Sequence, residues 1–317
     1  MANNSNEIGC KAVSAVWLTE TNLTNLNSGI GGSNLVDIKK YKKQGMDYPY
    51  VSGQAMRYYL KEAIRRDIST DKYCVPDDDG QGCGKIKECI LCDLFGFMRT
   101  EKGVGSVTRV SPVKMSPAMG LLPLQDNFVI DFLTQKYEKE KGQKQEGAIV
   151  NVELGVNLYK AGMSIDLVKV GGEETIDFEK HKSNGIDYKV KAIDDRKKRI
   201  KTTLEAFKHF ADYSKQARVL TDFTPDVLLI SLQTKYHHLL QKAFELKNNR
   251  KDQNKKEIDT VRLDQVLTML KSDNDIIYAG IISGTIDNED DLKEVLKKHK
   301  IEITTPKEAI NKAIKKI

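Results

Sequence analysis

The chain has 317 residues, of which 39% are hydrophobic, and this is enough for one large core or two modest domains. It has no run of eighteen apolar residues and no basic and apolar leader, so we expect a cytoplasmic protein with reduced thiols and no membrane partner. The net charge of +6 fits a solvated surface as well as a nucleic-acid partner. The basic clusters at 39–43 and 196–199 are typical of solvated helix faces.

The N-terminal half combines strand and helix patterns. IGCKAVSAVWLT, from Ile8, predicts a strand, and a polar, glycine-rich loop follows at 21–34. Ser52 is a good N-cap for a helix with an apolar stripe at helical spacing. The members of that stripe are Met56, Tyr59, Leu60, Ala63 and Ile64. The cleanest strand is IVNVELGVNLY, with Val150, Val152, Leu154, Val156 and Leu158 on one face.

The C-terminal half becomes helical and rich in lysine. Ile193, Ile200, Leu204, Phe207 and Ala211 mark an amphipathic helix, and DVLLISLQ predicts a strand. YHHLLQKAFELKNNRK and VRLDQVLTMLK predict helices, IIYAGIIS predicts a strand, and TPKE at 305–308 predicts the capped start of a final helix. The order predicts an α+β, ferredoxin-like core at 1–233, with insertions at about 70–98 and 111–146, and a mainly helical region at 234–317 packed on it.

Four of the five cysteines lie between positions 74 and 92. Cys89 and Cys92 form a C-x₂-C knuckle, and Cys74 and Cys83 lie close enough in sequence to complete a tetrahedral shell for a structural Zn²⁺. Reduced structural thiols in a buried insertion are the alternative, since a cytoplasmic location argues against disulfides. No βαβ unit surrounds the knuckle, which argues against thioredoxin-like chemistry. Cys10 lies on the first strand and is expected in the core.

Binding is better supported by the sequence than catalysis. GIGGSN is neither a Rossmann fingerprint nor a Walker A loop. The five histidines accompany no nucleophile motif, so no catalytic constellation is predicted. The helix opened by Ser52 and Gly53 offers free N–H groups to a phosphate. Arg57, Lys61 and Arg65 recur every four residues along one side of this helix. That side is either an anion-binding face or a solvated face.

Five blocks carry a family resemblance. They are NLNSGIGGSNLVDIKK, YPYVSGQAMRYYLKEAIRR, CDLFGFM, RVSPVKMSPAMGLLPLQ and SKQARVLTDFTPD. In this succession, from Lys11 to Leu232, the chain resembles the DevR-type backbone subunit of CRISPR type I-B Cascade, in the RAMP superfamily. The resemblance implies a modified RNA-recognition-motif core and a non-catalytic role in antiviral defence. Copies of such subunits stack along a CRISPR RNA, beside the other Cascade subunits, and expose it for pairing with target DNA.

The resemblance also implies site residues. The RNA-binding positions are Gly29, Gly31, Gly32, Ser33, Asn34, Ser52, Gly53, Arg57, Ser214, Lys215, Gln216 and Arg218. A β-hairpin thumb is expected at about 111–146. Its apolar residues Met115, Met119, Leu121 and Leu122 either act as a wedge against bases or pack in the core.

Two other functions remain as alternatives. Backbone subunits of type III complexes cleave target RNA with an aspartate shortly after a related glycine loop. Alignment puts a lysine, near Lys42, at that position, and Asp37 falls several residues too early, so cleavage is disfavoured. A free-standing zinc-binding regulator would leave the glycine and basic blocks unexplained.

Overall fold

A computed structural model of the chain describes residues 9–25, 35–103, 105–124, 128–137, 146–177, 179–211, 220–248 and 254–317. The strands in these ranges are β1 (Ala12–Thr24), β2 (Leu35–Val36), β3 (Lys40–Lys43), β4 (Met46–Val51), β5 (Phe97–Glu101), β6 (Gly105–Arg109), β7 (Val113–Met115), β8 (Ala118–Gly120), β9 (Phe128–Tyr137), β10 (Glu146–Asp166), β11 (Gly172–Asp177), β12 (Lys182–Tyr188), β13 (Val227–Gln233), β14 (Ile276–Ile281) and β15 (Ile303–Thr304). The α-helices are α1 (Gly53–Asp67), α2 (Ile90–Phe95), α3 (Ile193–Phe207), α4 (Thr260–Ser272), α5 (Glu289–Lys298) and α6 (Pro306–Lys316).

Strand β1 lies in the middle of a large mixed sheet. It runs antiparallel to β10 on one side and to β13 on the other, so Val16 lies opposite Gly162 and also opposite Leu229. The strand order is β15-β14-β13-β1-β10-β8-β4-β3, and β2, β7 and β9 also pair with β10. Two separate hairpins, β5–β6 and β11–β12, lie outside this sheet.

Helices cover both faces of the sheet. Val13, Ala15 and Trp17 of β1 point into a hydrophobic cluster that contains apolar side chains of α1, α2, α3 and α6. Val16 and Leu18 point the other way, into a cluster with α4 and α5. The two-residue alternation of a strand therefore makes β1 the wall between two helical layers. None of the helices in the described ranges is long and apolar enough to cross a membrane.

Most of the predicted elements are confirmed. Ser52 caps α1 by accepting a hydrogen bond from the N–H of Ala55 at 3.2 Å, and the whole predicted stripe of this helix is buried. Thr305 caps α6 in the same way, through the N–H of Glu308 at 3.3 Å. Strands β1, β10, β13 and β14 and helix α4 lie where the patterns put them. The α+β class is therefore confirmed.

The predicted helix at 236–251 is wrong. Only a 3₁₀ turn at Leu239–Lys242 forms in the part of this segment that the structure describes. Leu240 and Phe244 enter the second cluster, and Leu246 then bridges to Ile258. The apolar residues are thus buried from an extended chain that pairs with the segment before α4, which a helix would not permit.

Three smaller differences concern element limits and faces. Helix α3 ends at Phe207, and Ala211 instead bridges to Asp222. Val156 is 36% exposed although it was predicted on the buried face of β10. Val156 lies at an irregularity in the pairing of β1 with β10, between the pairs Thr21–Asn157 and Thr24–Gly155. Helix α5 was not predicted, although three acidic residues in its first turn and lysines in its last are a recognisable signature.

The C-terminal region does not form a separate sheet. Strand β14 pairs antiparallel with β13, and β15 extends the same sheet in parallel. Helix α6 packs into the first cluster, beside α1 and α3. The division at residue 233 stays a prediction, and the sheet is continuous across it.

Candidate metal centre and nucleic-acid interface

The four clustered cysteines converge on one point. Their sulfur atoms all lie within 4.8 Å of one another, although the residues are spread over nineteen positions. The Sγ of Cys92 is 3.6 Å from that of Cys74 and 3.7 Å from that of Cys83, and the sulfurs of Cys89 and Cys74 are 3.6 Å apart. Cys89 and Cys92 are buried, and the other two are half-buried.

The local backbone aims these sulfurs. Cys89 caps helix α2 by accepting a hydrogen bond from the N–H of Cys92 at 3.3 Å, and Cys74 accepts one from the N–H of Cys83 at 3.3 Å. A Cβ atom at Gly82 would lie 3.0 Å from the sulfur of Cys92, so this glycine leaves room for the cluster. Gly84 has a φ of +72°, which favours glycine and turns the chain after Cys83.

The sulfur geometry fits a single tetrahedral ion. A Zn–S bond of about 2.3 Å places the sulfurs of a tetrahedron about 3.8 Å apart. The observed separations of 3.6–3.7 Å are close to this value and far from the ~2.05 Å of a disulfide. A hydrogen bond from the Cys92 thiol holds the pKa of Cys89 below its ordinary value, while the same bond raises the pKa of Cys92. The donor set therefore fits a thiophilic cation such as Zn²⁺.

A buried ionic cluster anchors the segment 73–95, which carries the four cysteines and is called the metal loop below. Asp93, fully buried beside Cys92, accepts hydrogen bonds from Arg109 at 2.5 Å and from Arg199 at 2.6 Å. The N–H of Gly171 also donates to its carboxylate, at 2.9 and 3.0 Å. Arg199 in addition donates to the carbonyl of Ile86, within the loop, at 2.7 Å. This cluster joins α2 to β6, to α3 and to the turn that precedes β11.

The interpretation of 196–199 as a solvated basic face is wrong for two of its residues. Arg196 is 2% exposed, donates to the carbonyl of Val170 at 3.1 Å and lies 3.6 Å from the ring centroid of Tyr188. Arg199 belongs to the Asp93 cluster. The sequence lacked a signal for this, because the acidic partner of Arg199 is 106 residues away.

The predicted RNA-binding residues fall into two groups. The loop residues Gly29, Gly31, Gly32, Ser33, Asn34, Ser214, Lys215, Gln216 and Arg218 lie outside the described residues. Ser52, Gly53 and Arg57 are described and lie at the first turn of α1. A Cβ atom at Gly53 would lie 3.2 Å from the carbonyl oxygen of Met115, so the turn between β7 and β8 packs closely over this helix end.

The described flanks of the two predicted loops meet. The hydroxyl groups of Thr24 and Thr221 share a buried hydrogen bond of 2.6 Å, although they are 197 residues apart. The loop predicted at 21–34 begins later than expected, because β1 continues to Thr24. Thr24 therefore stands before the glycines of this loop, and Thr221 follows the basic loop. Asn25 donates to the carbonyl of Glu153 at 2.9 Å, which fixes the same corner to β10. The described residues next to the glycine loop and next to the basic loop therefore meet at one corner.

Arg57 is placed further along the sheet. The turn that covers Gly53 contains Met115, which pairs with Met163, whereas Thr24 pairs with Gly155. Eight residues along β10 correspond to roughly 26 Å, at about 3.3 Å per residue. The side chain of Arg57 donates to the carbonyl of Phe95 at 2.6 Å, so it contacts the metal loop.

A long hairpin lies within the predicted thumb segment and continues beyond it. Strand β9 pairs with the first half of β10 from Phe128 opposite Gly155 to Tyr137 opposite Glu146, and in the described residues it has no other strand partner. Ten paired residues give a length of about 34 Å. Phe128, Val129 and Ile130 are 39%, 46% and 52% exposed at its base. Sequence analysis missed these three, although they form an apolar run inside the expected thumb.

The four predicted wedge residues lie before the hairpin. Met115 packs against the first cluster, Leu121 packs against the second, and Leu122 belongs to the second with 9% exposure. Met119 pairs with Tyr50 and Lys160 in the sheet. The contacts of Met115, Leu121 and Leu122 are those of core side chains, whereas Met119 is half-buried and belongs to neither cluster. The wedge role of the four residues stays a prediction.

The fold is that of subunits from CRISPR surveillance complexes. A chain of a structure titled "CRISPR RNA-guided surveillance complex" has a TM-score of 0.58 and 13% identity, covering 96% of this chain and 98% of that chain. A chain from a second such complex, titled as pre-nicking, has a TM-score of 0.58 and 12% identity, covering 96% and 99%. At these identities the likeness establishes the fold.

The sequence itself establishes the family. Residues 16–255 match the family described as CRISPR-associated negative auto-regulator DevR/Csa2, and the chain belongs to that family. No curated protein is significantly similar to the sequence. The resemblance carried by the five sequence blocks is thereby confirmed.

Proposed function

We propose that this protein is a non-catalytic, guide-RNA-binding backbone subunit of a type I-B Cascade complex. In this proposal, cytoplasmic copies of the chain stack along a CRISPR RNA, together with the other Cascade subunits, and present the guide for pairing with target DNA. Membership of the DevR/Csa2 family is the observation that carries the proposal.

The meeting of the described flanks of the glycine and basic loops supports RNA binding. The bond between Thr24 and Thr221 brings the ends of a glycine-rich segment and of a basic segment to one corner of the sheet. Glycines allow close approach of a phosphate backbone, and lysine and arginine neutralise its charge. Neither kind of segment would serve this purpose as well alone.

The hairpin of β9 and β10 supports self-association along the RNA. Apart from the short pairing with β2, the part of β10 from Glu146 to Leu154 pairs only with β9 among the described residues, and the base of the hairpin carries the exposed residues Phe128, Val129 and Ile130. Side chains such as Phe128 and Ile130 can bury themselves against a neighbouring copy or between unstacked bases. A two-stranded hairpin is only marginally stable in water by itself, so such contacts would stabilise it.

We further propose that the four cysteines hold one structural Zn²⁺. The loop from Tyr73 to Gly84 contains no helix or strand, and its residues are exposed or only half-buried, so it offers little burial of its own. Metal binding in such a segment contributes to its folding free energy. Bound there, the ion would supply no chemistry to a substrate, because four protein ligands close its shell.

Metal-dependent cleavage of target RNA is the competing function. Asp37 follows the glycine loop, and its Oδ1 is buried without a hydrogen-bond partner among the described residues. The neighbouring Lys40 is engaged by Glu153 at 3.0 Å. Incubating the guide-loaded protein with complementary RNA and Mg²⁺, beside Asp37→Ala, separates the two functions. Intact target RNA is expected, and cleavage that Asp37→Ala abolishes would establish the type III-like function.

The decisive experiment identifies the nucleic acid that co-purifies with the protein. The chain is expressed with a CRISPR array and the other subunits, purified without a tag, and its RNA is sequenced. A length-homogeneous RNA with repeat-derived ends is expected. Heterogeneous cellular RNA, or none, would contradict a guide-binding function.

A further inference from the structure

The basic residues of α1 face the metal loop. Arg57 donates to the carbonyl of Phe95, and its guanidinium lies 5.7 Å from the ring centroid of that residue. The ammonium of Lys61 lies 5.4 Å from the same ring. One turn later, the guanidinium of Arg65 lies 5.0 Å from the ring of Tyr73, which precedes Cys74. Both ends of the metal loop are therefore packed on one side of this helix.

Lys61 and Arg57 form an unusual pair. Both are half-buried, they share one aromatic ring, and neither has an ion-pair partner among the described carboxylates. By contrast, Arg65 pairs with Glu62 at 2.5 Å. Two adjacent, partly desolvated cations repel each other and need a compensating negative charge.

The cysteine cluster supplies a negative charge of the required size. Four thiolates around one Zn²⁺ carry a net charge of −2, which is equal in magnitude and opposite in sign to the combined charge of Lys61 and Arg57. Phe95 stands three residues after Cys92 in α2, so the ring under the two cations belongs to the element that carries two of the ligands. Burial and Arg57 lower the pKa of Lys61, whereas the sulfurs of Cys92, Cys74 and Cys89 act on it in the opposite direction.

We propose that Lys61, together with Arg57, provides the outer-sphere positive charge that stabilises a tetrathiolate metal centre. This inference rests on the proposed occupation of the cysteines by a metal. It assigns Lys61 a positioning role for the metal loop. It also explains why one side of α1 carries cations that the solvated-face interpretation leaves without a function.

The test measures metal retention without any RNA. Wild type, Lys61→Gln, Lys61→Arg and the control Lys315→Gln, which removes one exposed charge from α6, are loaded with Zn²⁺ and titrated with a chromophoric chelator. Loss of an outer-shell partner typically lowers metal affinity about 10- to 100-fold, and we expect this range for Lys61→Gln. Lys61→Arg keeps the charge and is expected to restore most of the affinity. Lys315→Gln is expected to match wild type.

A second readout uses Co²⁺, whose visible absorption reports tetrahedral thiolate coordination. Lys61→Gln is expected to show the same bands at saturation, but at higher free Co²⁺. If that variant does not fold, Arg57→Gln applies the same test to the other cation, and there the metal affinity alone decides, because Arg57 is also a predicted RNA contact. Unchanged metal affinity in folded Lys61→Gln would overturn the inference. If the same variant also lost RNA affinity, the charge of Lys61 would serve a phosphate and not the metal.

The outcomes separate this inference from the proposed function. Wild-type protein that binds neither Zn²⁺ nor Co²⁺ would overturn both the metal proposal and the role of Lys61. Guide binding, measured on the same preparation, would still decide the RNA-binding function independently. Wild-type metal binding with no difference in Lys61→Gln would overturn the inference alone.

Discussion

Replacing Asp93 with asparagine removes the negative charge at the centre of the buried ionic cluster and nearly preserves its shape. The carboxylate is fully buried and accepts hydrogen bonds from Arg109, Arg199 and the N–H of Gly171. An amide offers one acceptor oxygen in place of two and no charge. Arg109, whose side chain is 4% exposed, would then keep only the more distant carboxylate of Glu173, at 3.8 Å, and Arg199, 12% exposed, would have no carboxylate partner among the described residues.

The expected cost follows from this burial. Removing one partner of a buried ion pair lowers the free energy of unfolding by about 3–5 kcal/mol. Arg109 keeps its hydrogen bonds to the carbonyls of Gly172 and Lys169, at 2.8 and 2.9 Å, so we expect the lower end, about 3 kcal/mol. With a urea m-value of about 3 kcal/mol/M, the unfolding midpoint should fall by about 1 M.

Urea unfolding of metal-loaded protein, followed by far-UV circular dichroism, measures this shift. Asp187→Asn is the matched control, since Asp187 pairs with Lys189 at 2.6 Å and with Lys191 at 3.4 Å but is 40% exposed. A surface pair of this kind contributes only about 0–1 kcal/mol. Equal midpoints for the two variants would refute the assignment of Asp93 as the anchor of the metal loop.

Three further predictions follow from the site and the sheet. Arg57→Ala and Lys215→Ala should each weaken guide binding regardless of the guide sequence. Each should also lower the slope of log affinity against log salt concentration by about one, and an unchanged slope in both variants would remove these residues from the interface. Untagged protein should contain about one equivalent of Zn²⁺ by elemental analysis, and Cys89→Ser or Cys92→Ser should lose it, whereas zinc-free wild type with four titratable thiols would leave these cysteines as structural thiols. Gly280→Ala should lower the free energy of unfolding by about 1–3 kcal/mol, because its Cβ would lie 2.4 Å from the Cα of Pro306. Gly9→Ala, with nothing within 4 Å, is the control, and equal melting temperatures would contradict the close packing of β14 on α6.

Sequence patterns predicted elements well where one local rule decides the structure. The stripe from Met56 to Ile64 lies at helical spacing and is buried as a unit, and Ser52 and Thr305 cap their helices. The cysteine knuckle likewise indicated its geometry, because two residues between sulfurs allow both to reach one ion. The order of the five sequence blocks indicated the family of the chain, which its composition alone would not have revealed.

Prediction failed where a distant partner decides the structure. YHHLLQKAF has helical spacing, yet Phe244 is buried by a chain that pairs with the segment at Ile258. Arg199 has the sequence context of a solvated lysine and arginine cluster, but its partner Asp93 comes from another part of the chain.

The sequence by itself indicated strands β1, β10, β13 and β14, helices α1, α4 and α6, a candidate set of metal ligands and the family of the chain, because capping, periodicity and ligand spacing act over a few residues. Only the tertiary structure decided which charges are buried, which apolar residues remain exposed, and that Lys61 and Arg57 lie over the ring of Phe95, three residues after Cys92. The physical reason is that ion pairing and burial depend on distance in space, and the folded chain brings together groups that sequence spacing leaves unrelated.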